Sequence, residues 1–172
     1  MIALGRTDTG KVRPSNQDAL LETAGPYPVF AVADGMGGHR GGNIASAMAV
    51  DCLSEIDTQQ HPDEAKLKAA FDRANRLIWE RQRRDMSLSG MGTTLTALWE
   101  GDDHVLLGHV GDSRAYHITP DGIARVTKDH SLVESMVDRG DITAEEARRH
   151  PNKNLITRAL GPDINPICDG YI

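Results

Sequence analysis

The spacing of apolar residues predicts a buried strand followed by two helices in the first half of the chain. Residues 29–33 are an unbroken apolar run with two valines, and its length favours a buried strand over a helix. Residues 42–56 then show helical periodicity, and a second helix is predicted to start near Pro62, which suits the first helical turn. The stripes expected to pack in the core are Ile44, Ala45, Met48, Cys52, Leu53 and Ile56 in the first helix, and Leu67, Ala70, Phe71, Ala74, Leu77 and Ile78 in the second.

The second half of the chain alternates short strand patterns with turn signals. Strands are predicted over residues 92–99, 105–110, 114–118 and 123–126. The turn sequences GDD at residues 101–103 and PDG at 120–122 join consecutive strands tightly, which implies antiparallel pairing. Two short helices are predicted over residues 131–139 and 143–150. Because β-α-β repeats are absent from this pattern, it indicates an α+β fold.

Composition narrows the functional classes. The 172 residues suit one domain, and a net charge of −6 argues against a general binder of nucleic acid or acidic membranes, while it suits a protein that collects divalent cations. Cys52 and Cys168 lie far apart in sequence, which argues against a disulfide framework or a structural zinc site. The first six residues lack the apolar core of a signal peptide, and no apolar stretch approaches the roughly 18 residues of a membrane span. We therefore expect a cytoplasmic protein, and a monomer.

Three aspartates stand where strands are expected to end, Asp18, Asp34 and Asp112, and the last two are next to a glycine. A carboxylate at the end of a buried strand is held rigidly, and adjacent glycines let carbonyl groups and a ligand approach closely. Such oxygen ligands suit Mg²⁺ and Mn²⁺. Taken singly, an Asp-Gly or Gly-Asp pair fits an ordinary turn better than a metal site.

Other site types are disfavoured by spacing. The glycine cluster at residues 35–42 lacks the lysine of a phosphate-binding loop, and Arg40 stands where a dinucleotide fingerprint needs its third glycine. The histidines form no His-Glu-x-x-His array, so a zinc hydrolase is not indicated. His39 is distinct because it lies inside the glycine cluster, whereas His109 is expected to be an ordinary packed or surface residue and His130 to be structural.

Six motifs in order resemble the metal-dependent Ser/Thr protein phosphatases of type 2C, the PPM family, in their bacterial form. They are RPSNQD at residues 13–18, VADGMGGH at 32–39, GMGTT at 90–94, GHVGDSR at 108–114, TKDHS at 127–131 and ITRALG at 156–161. Each motif alone is a weak signal. Their shared order across nearly the whole chain makes the resemblance specific.

The resemblance implies a β-sandwich of two antiparallel sheets flanked by helices, in four layers α-β-β-α, with a metal cluster at one end. It also implies hydrolysis of phosphoserine and phosphothreonine in proteins by a metal-activated water, opposing a Ser/Thr kinase. The cofactors would be Mn²⁺ or Mg²⁺, two ions and a third in bacterial members. Phosphorylated proteins would be the partners.

The resemblance also assigns roles to residues. Asp34 would bridge two metal ions, Gly35 would offer its carbonyl to one, and Asp112 would bind the third. Asp18 would contribute to the metal site and orient the attacking water. Arg13 would grip the phosphate, and His39 would protonate the leaving oxygen. Residues 131–155 would form a mobile flap beside the site.

The sequence departs from the family pattern in ways that leave alternatives open. Gln17 and Asn43 stand where glutamate is common, and Met36 replaces a common histidine. The chain ends at Ile172, before the family's later Ser-Asp-Gly and Asp-Asn metal-binding motifs, so residues 1–172 are expected to be the N-terminal portion of a catalytic domain. The alternative functions are an inactive relative that binds phosphoproteins or another partner, and a hydrolase of small phosphate esters.

Overall fold

A six-stranded antiparallel sheet forms the centre of the molecule. The computed structural model describes residues 2–37, 41–164 and 168–171. The sheet order is β1-β2-β4-β5-β8, and the short β3 pairs with the end of β2. The strands are β1 (Asp18–Glu22), β2 (Val29–Met36), β3 (Gly92–Thr93), β4 (Leu95–Glu100), β5 (Val105–Val110) and β8 (Asp169–Tyr171).

Two helices pack on one face of this sheet. They are α1 (Gly42–Ser54) and α2 (Glu64–Arg84), and a 3-10 turn (Met86–Leu88) leads back to β3. The predicted start of α2 at Pro62 was two residues early. The helix begins after Asp63, whose carboxylate accepts a hydrogen bond from the Lys66 backbone N–H at 2.9 Å, so an aspartate cap sets the boundary.

The core lies between the helices and the sheet. Its largest fully buried side chains include Trp99, Phe71, Leu53 and Ile78. The predicted α2 stripe is correct except at Leu77, which is 36% exposed. Asn75 of the same helix is buried although it is polar. Its amide nitrogen donates to the Asp163 and Ile164 carbonyls, and its side-chain oxygen accepts from the Gly161 N–H, so its polar groups are satisfied.

The rest of the chain forms a hairpin and a short helical segment. The second sheet has two strands, β6 (Tyr116–Thr119) and β7 (Gly122–Arg125). The helices α3 (Leu132–Asp138) and α4 (Ala144–Arg149) follow. Ser131 caps α3, and a reciprocal capping box between Thr143 and Glu146 starts α4.

The expectation of a mixed α+β fold with helices and two antiparallel sheets is confirmed, and the second sheet is the β6–β7 hairpin. Strands β1 and β8 were not predicted, and the predicted strand over residues 92–99 is interrupted at Thr94, between β3 and β4. Across the described ranges, the structure contains no helix long and apolar enough to cross a bilayer.

Candidate active site

Asp18 and Asp34 lie side by side at neighbouring ends of β1 and β2. They are paired residues in the antiparallel register of these strands. The backbone around Asp34 is fixed from the other side: its N–H donates to Thr94 Oγ1 at 3.0 Å, and its carbonyl accepts from the Thr94 N–H and from Thr93 Oγ1, each at 3.0 Å. The pair of carboxylates is therefore mounted on rigid strands rather than on a loop.

Gly35 stands where three backbone segments meet. A Cβ at this position would lie 2.0 Å from the Gly42 carbonyl oxygen and 2.6 Å from that of Gln17, distances that no real Cβ contact reaches. The Gly35 N–H donates to the Gln17 carbonyl at 3.1 Å, and the same carbonyl accepts from Ser46 Oγ at 2.7 Å. Only glycine fits here, because the start of α1 and the segment before β1 both touch the end of β2.

Charged groups around Asp34 shift its pKa. The pKa of the Asp34 carboxyl is raised, first by the protein atoms packed around it, then by the negative charges of Asp18 and Asp112 and by a hydrogen bond with Asp18. The positive charge of Arg13 lowers it. Three predicted site residues, Asp18, Asp112 and Arg13, thus lie within electrostatic reach of a fourth, Asp34.

Asp112 reaches this cluster through a tight turn after β5. Gly111 has φ +111°, and a Cβ there would lie 2.5 Å from Thr94 Cγ2. Thr94 Oγ1 also shares a hydrogen bond of 2.8 Å with Ser113 Oγ. The pKa of Asp112 is raised, chiefly by burial. Thr94 thereby connects the backbone of Asp34 to the turn that carries Asp112, a function that no pattern of apolar residues could reveal.

The donor set fits a hydrated hard cation. Within the part of the chain that the structure describes, no three side chains of His, Cys, Asp or Glu converge closely enough to hold a metal ion alone. The close pair is Asp18 and Asp34, and mutual repulsion between these carboxylates is what a bound cation would relieve. Mg²⁺ is typically held by one or two carboxylates with several waters retained, so two carboxylates and a nearby carbonyl are chemically adequate.

A shallow cleft of about 250 Å³ opens over the carboxylate pair. Besides Asp18 and Asp34 its lining includes Arg6, Thr7 and Ser113. Arg6 was not singled out from the sequence, and only its place before the first motif could have suggested it. His39, the predicted proton donor, lies outside the described residues.

A second, larger cleft of about 660 Å³ separates this centre from the α3–α4 segment. Asp112 lies on its core side, and Arg148 and Lys153 lie on the side of the helices. Both clefts therefore border the acidic centre, the smaller at Asp18 and Asp34 and the larger at Asp112.

Comparison with known proteins agrees with this geometry. The sequence model of the protein phosphatase 2C family matches residues 11–159. The serine/threonine phosphatase stp of Listeria innocua is 40% identical over 97% of this chain and 69% of its own length.

Solved structures give the same result. The crystal structure of the serine/threonine phosphatase Stp1 from Staphylococcus aureus superposes with a TM-score of 0.90 at 35% identity, covering 96% of this chain and 68% of that one. The catalytic domain of the serine/threonine protein phosphatase PstP, solved in complex with two manganese ions, superposes with a TM-score of 0.81 at 38% identity, covering 96% of this chain and 70% of that one. With its motifs, its paired strand-end carboxylates and these matches, the chain belongs to the bacterial type 2C (PPM) family of protein phosphatases.

Proposed function

We propose that this chain hydrolyses phosphoserine and phosphothreonine in proteins with Mn²⁺ or Mg²⁺ as its cofactor. The observation that carries the proposal is the Asp18–Asp34 carboxylate pair, mounted at adjacent strand ends in a member of this family. Relatives named serine/threonine phosphatases support a phosphoprotein substrate. The neighbour that binds two manganese ions supports two ions in the site.

The ligands proposed for these ions are the predicted ones. Asp34 would bridge two ions, Asp18 and the Gly35 carbonyl would add further oxygens, and Asp112 would hold a third, weaker ion. When bound, such ions lower the pKa of a shared water and neutralise the phosphoryl oxygens during in-line attack. Asp18 would also accept a hydrogen bond from the attacking water and hold it in line with the scissile bond.

Two residues would handle the substrate phosphate. The Arg13 guanidinium can bind two phosphoryl oxygens at once, and its effect on the pKa of Asp34 supports a position beside the site. In the reaction the attacking water releases one proton to solvent, its oxygen bonds to phosphorus, and the bond from phosphorus to the Ser or Thr oxygen breaks. That oxygen then takes up a proton. We propose His39 as the donor of this proton.

A phosphoserine or phosphothreonine substrate implies a Ser/Thr kinase that produces it. We propose that the protein acts as a monomer in the cytoplasm and opposes a Ser/Thr kinase. Residues 131–155 are proposed to be a flap beside the site, because α3 and α4 form the outer wall of the larger cleft.

The test is Mn²⁺-dependent release of phosphate from a phosphothreonine peptide. We expect activity in the unaltered chain, loss of at least about a hundredfold in Asp34→Asn, and none of that loss in Asp121→Asn, an exposed aspartate of the β6–β7 turn. Preference for p-nitrophenyl phosphate over the peptide would favour the small-ester hydrolase. A folded chain that binds the peptide but releases no phosphate would favour the binding module.

A further inference from the structure

A buried histidine holds the residue immediately before Asp112. The His130 backbone N–H donates to the Gly111 carbonyl at 2.8 Å, and the Gly111 N–H donates to His130 Nδ1 at 3.1 Å. Because Nδ1 accepts, the ring proton lies on Nε2, which faces the Asp169 carboxylate at 2.9 Å. The backbone N–H and the carbonyl of Gly111 are thus both hydrogen-bonded to His130, which is only 6% exposed.

The neighbouring aspartate holds the chain on the other side of Asp112. The single Nε–H of Arg114 is shared between the two carboxylate oxygens of Asp129, at 2.9 and 3.1 Å, and a terminal nitrogen of the same guanidinium donates to Asp129 at 2.5 Å. Arg125 lies 3.7 Å from the same carboxylate. The Asp129 side chain is 6% exposed and that of Arg114 is 47% exposed, so a buried carboxylate is held in fixed geometry by a guanidinium that is partly open to water.

These contacts converge on the tight turn after β5, which the Thr94–Ser113 hydrogen bond also holds. Gly111 has a backbone conformation that few other residues adopt, and glycine restricts its own rotation least. The dipeptide Asp129-His130 hydrogen-bonds to Gly111 and Arg114, on either side of Asp112. It is also tied to the chain that follows α4, because the Thr157 N–H donates to the His130 carbonyl at 2.8 Å.

We propose that Asp129 and His130 are positioning residues that hold Asp112 in place for the weakly bound third ion. The proposal rests on the proposed function, since it needs Asp112 to be a metal ligand. The partners that fix a metal ligand commonly change metal affinity by about ten- to a hundredfold when they are removed. Their effect should therefore appear in ion binding and not only in stability.

The test is direct titration of the 172-residue chain with Mn²⁺, with free Mn²⁺ measured by electron paramagnetic resonance. We expect His130→Leu to weaken the weakest class of Mn²⁺ sites by about tenfold or more and to leave the tighter class unchanged. His130→Asn keeps a side-chain oxygen close to the position of Nδ1, so it should restore most of the affinity. Asp129→Asn, which keeps the shape but removes the charge, should weaken the same class and provides a second route if His130→Leu does not fold.

Controls separate positioning from general destabilisation. Asp112→Asn should abolish the weak class outright. Asn75→Ala removes a buried hydrogen-bonding group far from residues 111–114 in the sequence, and it should lower the melting temperature without changing Mn²⁺ affinity. The inference is overturned if His130→Leu and Asp129→Asn bind Mn²⁺ like the unaltered chain, or if His130→Asn is as weak as His130→Leu. Absence of both Mn²⁺ binding and phosphate release in the unaltered chain would instead refute the proposed function.

Discussion

At the scale of single residues, a threonine hydroxyl helps to hold the acidic residues of the site in position. Thr94 Oγ1 accepts from the Asp34 N–H and shares a hydrogen bond with Ser113, so one atom connects β2 to the turn that bears Asp112. Thr94 is 1% exposed, which means that water cannot replace those contacts if the hydroxyl is removed.

We therefore expect Thr94→Val, which keeps the shape but removes the oxygen, to lower the free energy of unfolding by about 1–3 kcal/mol. Urea denaturation measures this change. Thr58→Val serves as the control, because the Thr58 hydroxyl makes a single bond to the Ala24 carbonyl near the surface, and its loss should cost much less. Equal costs for both substitutions would mean that Thr94 does not connect the two halves of the site.

Gly35 offers a second test at this scale. Gly35→Ala forces a methyl group against the Gly42 and Gln17 carbonyls, so α1 or the segment before β1 must shift. Overpacking of this kind costs about 1–3 kcal/mol, and the displaced Asp34 should bind Mn²⁺ less tightly. Gly170→Ala is the matched control, since its nearest neighbour would be Glu64 Oε1 at an ordinary 3.6 Å. Calorimetry of both variants with and without Mn²⁺ distinguishes strain at Gly35 from a general intolerance of alanine.

At the scale of elements, apolar periodicity predicts well where strands and helices lie. It predicts less well the residue at which each begins and which side chains are buried. Residues 105–110 were predicted correctly as a strand, because the turn sequence at residues 101–103 marks where it starts. β1 was missed because its polar ends interrupt the apolar pattern, and its pairing with β2 is a long-range contact that local pattern does not encode. The start of α2 was misplaced because the Asp63 cap outweighs the preference of proline for a first turn.

The same helix provides a quantitative comparison between two leucines. Leu67 and Leu77 both fit the helical stripe, yet Leu67 is 4% exposed and Leu77 is 36% exposed. Leu67→Ala should lower the free energy of unfolding by about 2–5 kcal/mol, and Leu77→Ala by less than about 1 kcal/mol. Denaturant unfolding of the two variants in parallel gives the comparison, and similar losses would mean that α2 is rotated from the position described.

At the scale of the whole molecule, the ordered motifs predicted the family. The fold then places Asp18, Asp112 and Arg13 within electrostatic reach of Asp34. The arrangement that supports them could not be predicted, because the contacts of Thr94 and His130 join segments far apart in the sequence. Composition alone excluded broad classes and indicated no more than an affinity for divalent cations. The acidic centre that results has a cost to the whole fold, since like charges held together oppose folding.

That cost has a definite sign. The pKa of Asp34 is raised above its ordinary value in the folded state, so between the two values the folded protein binds more protons than the unfolded chain, and stability falls as pH rises through this range. At neutral pH the ionised Asp34 therefore destabilises the metal-free fold. Asp34→Asn removes this charge, and the metal-free variant should melt at a higher temperature than the unaltered chain.

Added Mn²⁺ should reverse the order of the two proteins. A cation that binds only the folded state adds stability in proportion to the logarithm of its concentration, about 2.7 kcal/mol at a hundred times its dissociation constant. The unaltered chain should gain this increment, whereas Asp34→Asn should gain little because its bridging oxygen has lost its charge. Thermal melts at neutral pH with chelator and with excess Mn²⁺ measure both effects. If Asp34→Asn melts at a lower temperature than the unaltered chain without metal, Asp34 does not destabilise the metal-free fold. If it gains as much stability from Mn²⁺ as the unaltered chain, Asp34 is not a metal ligand.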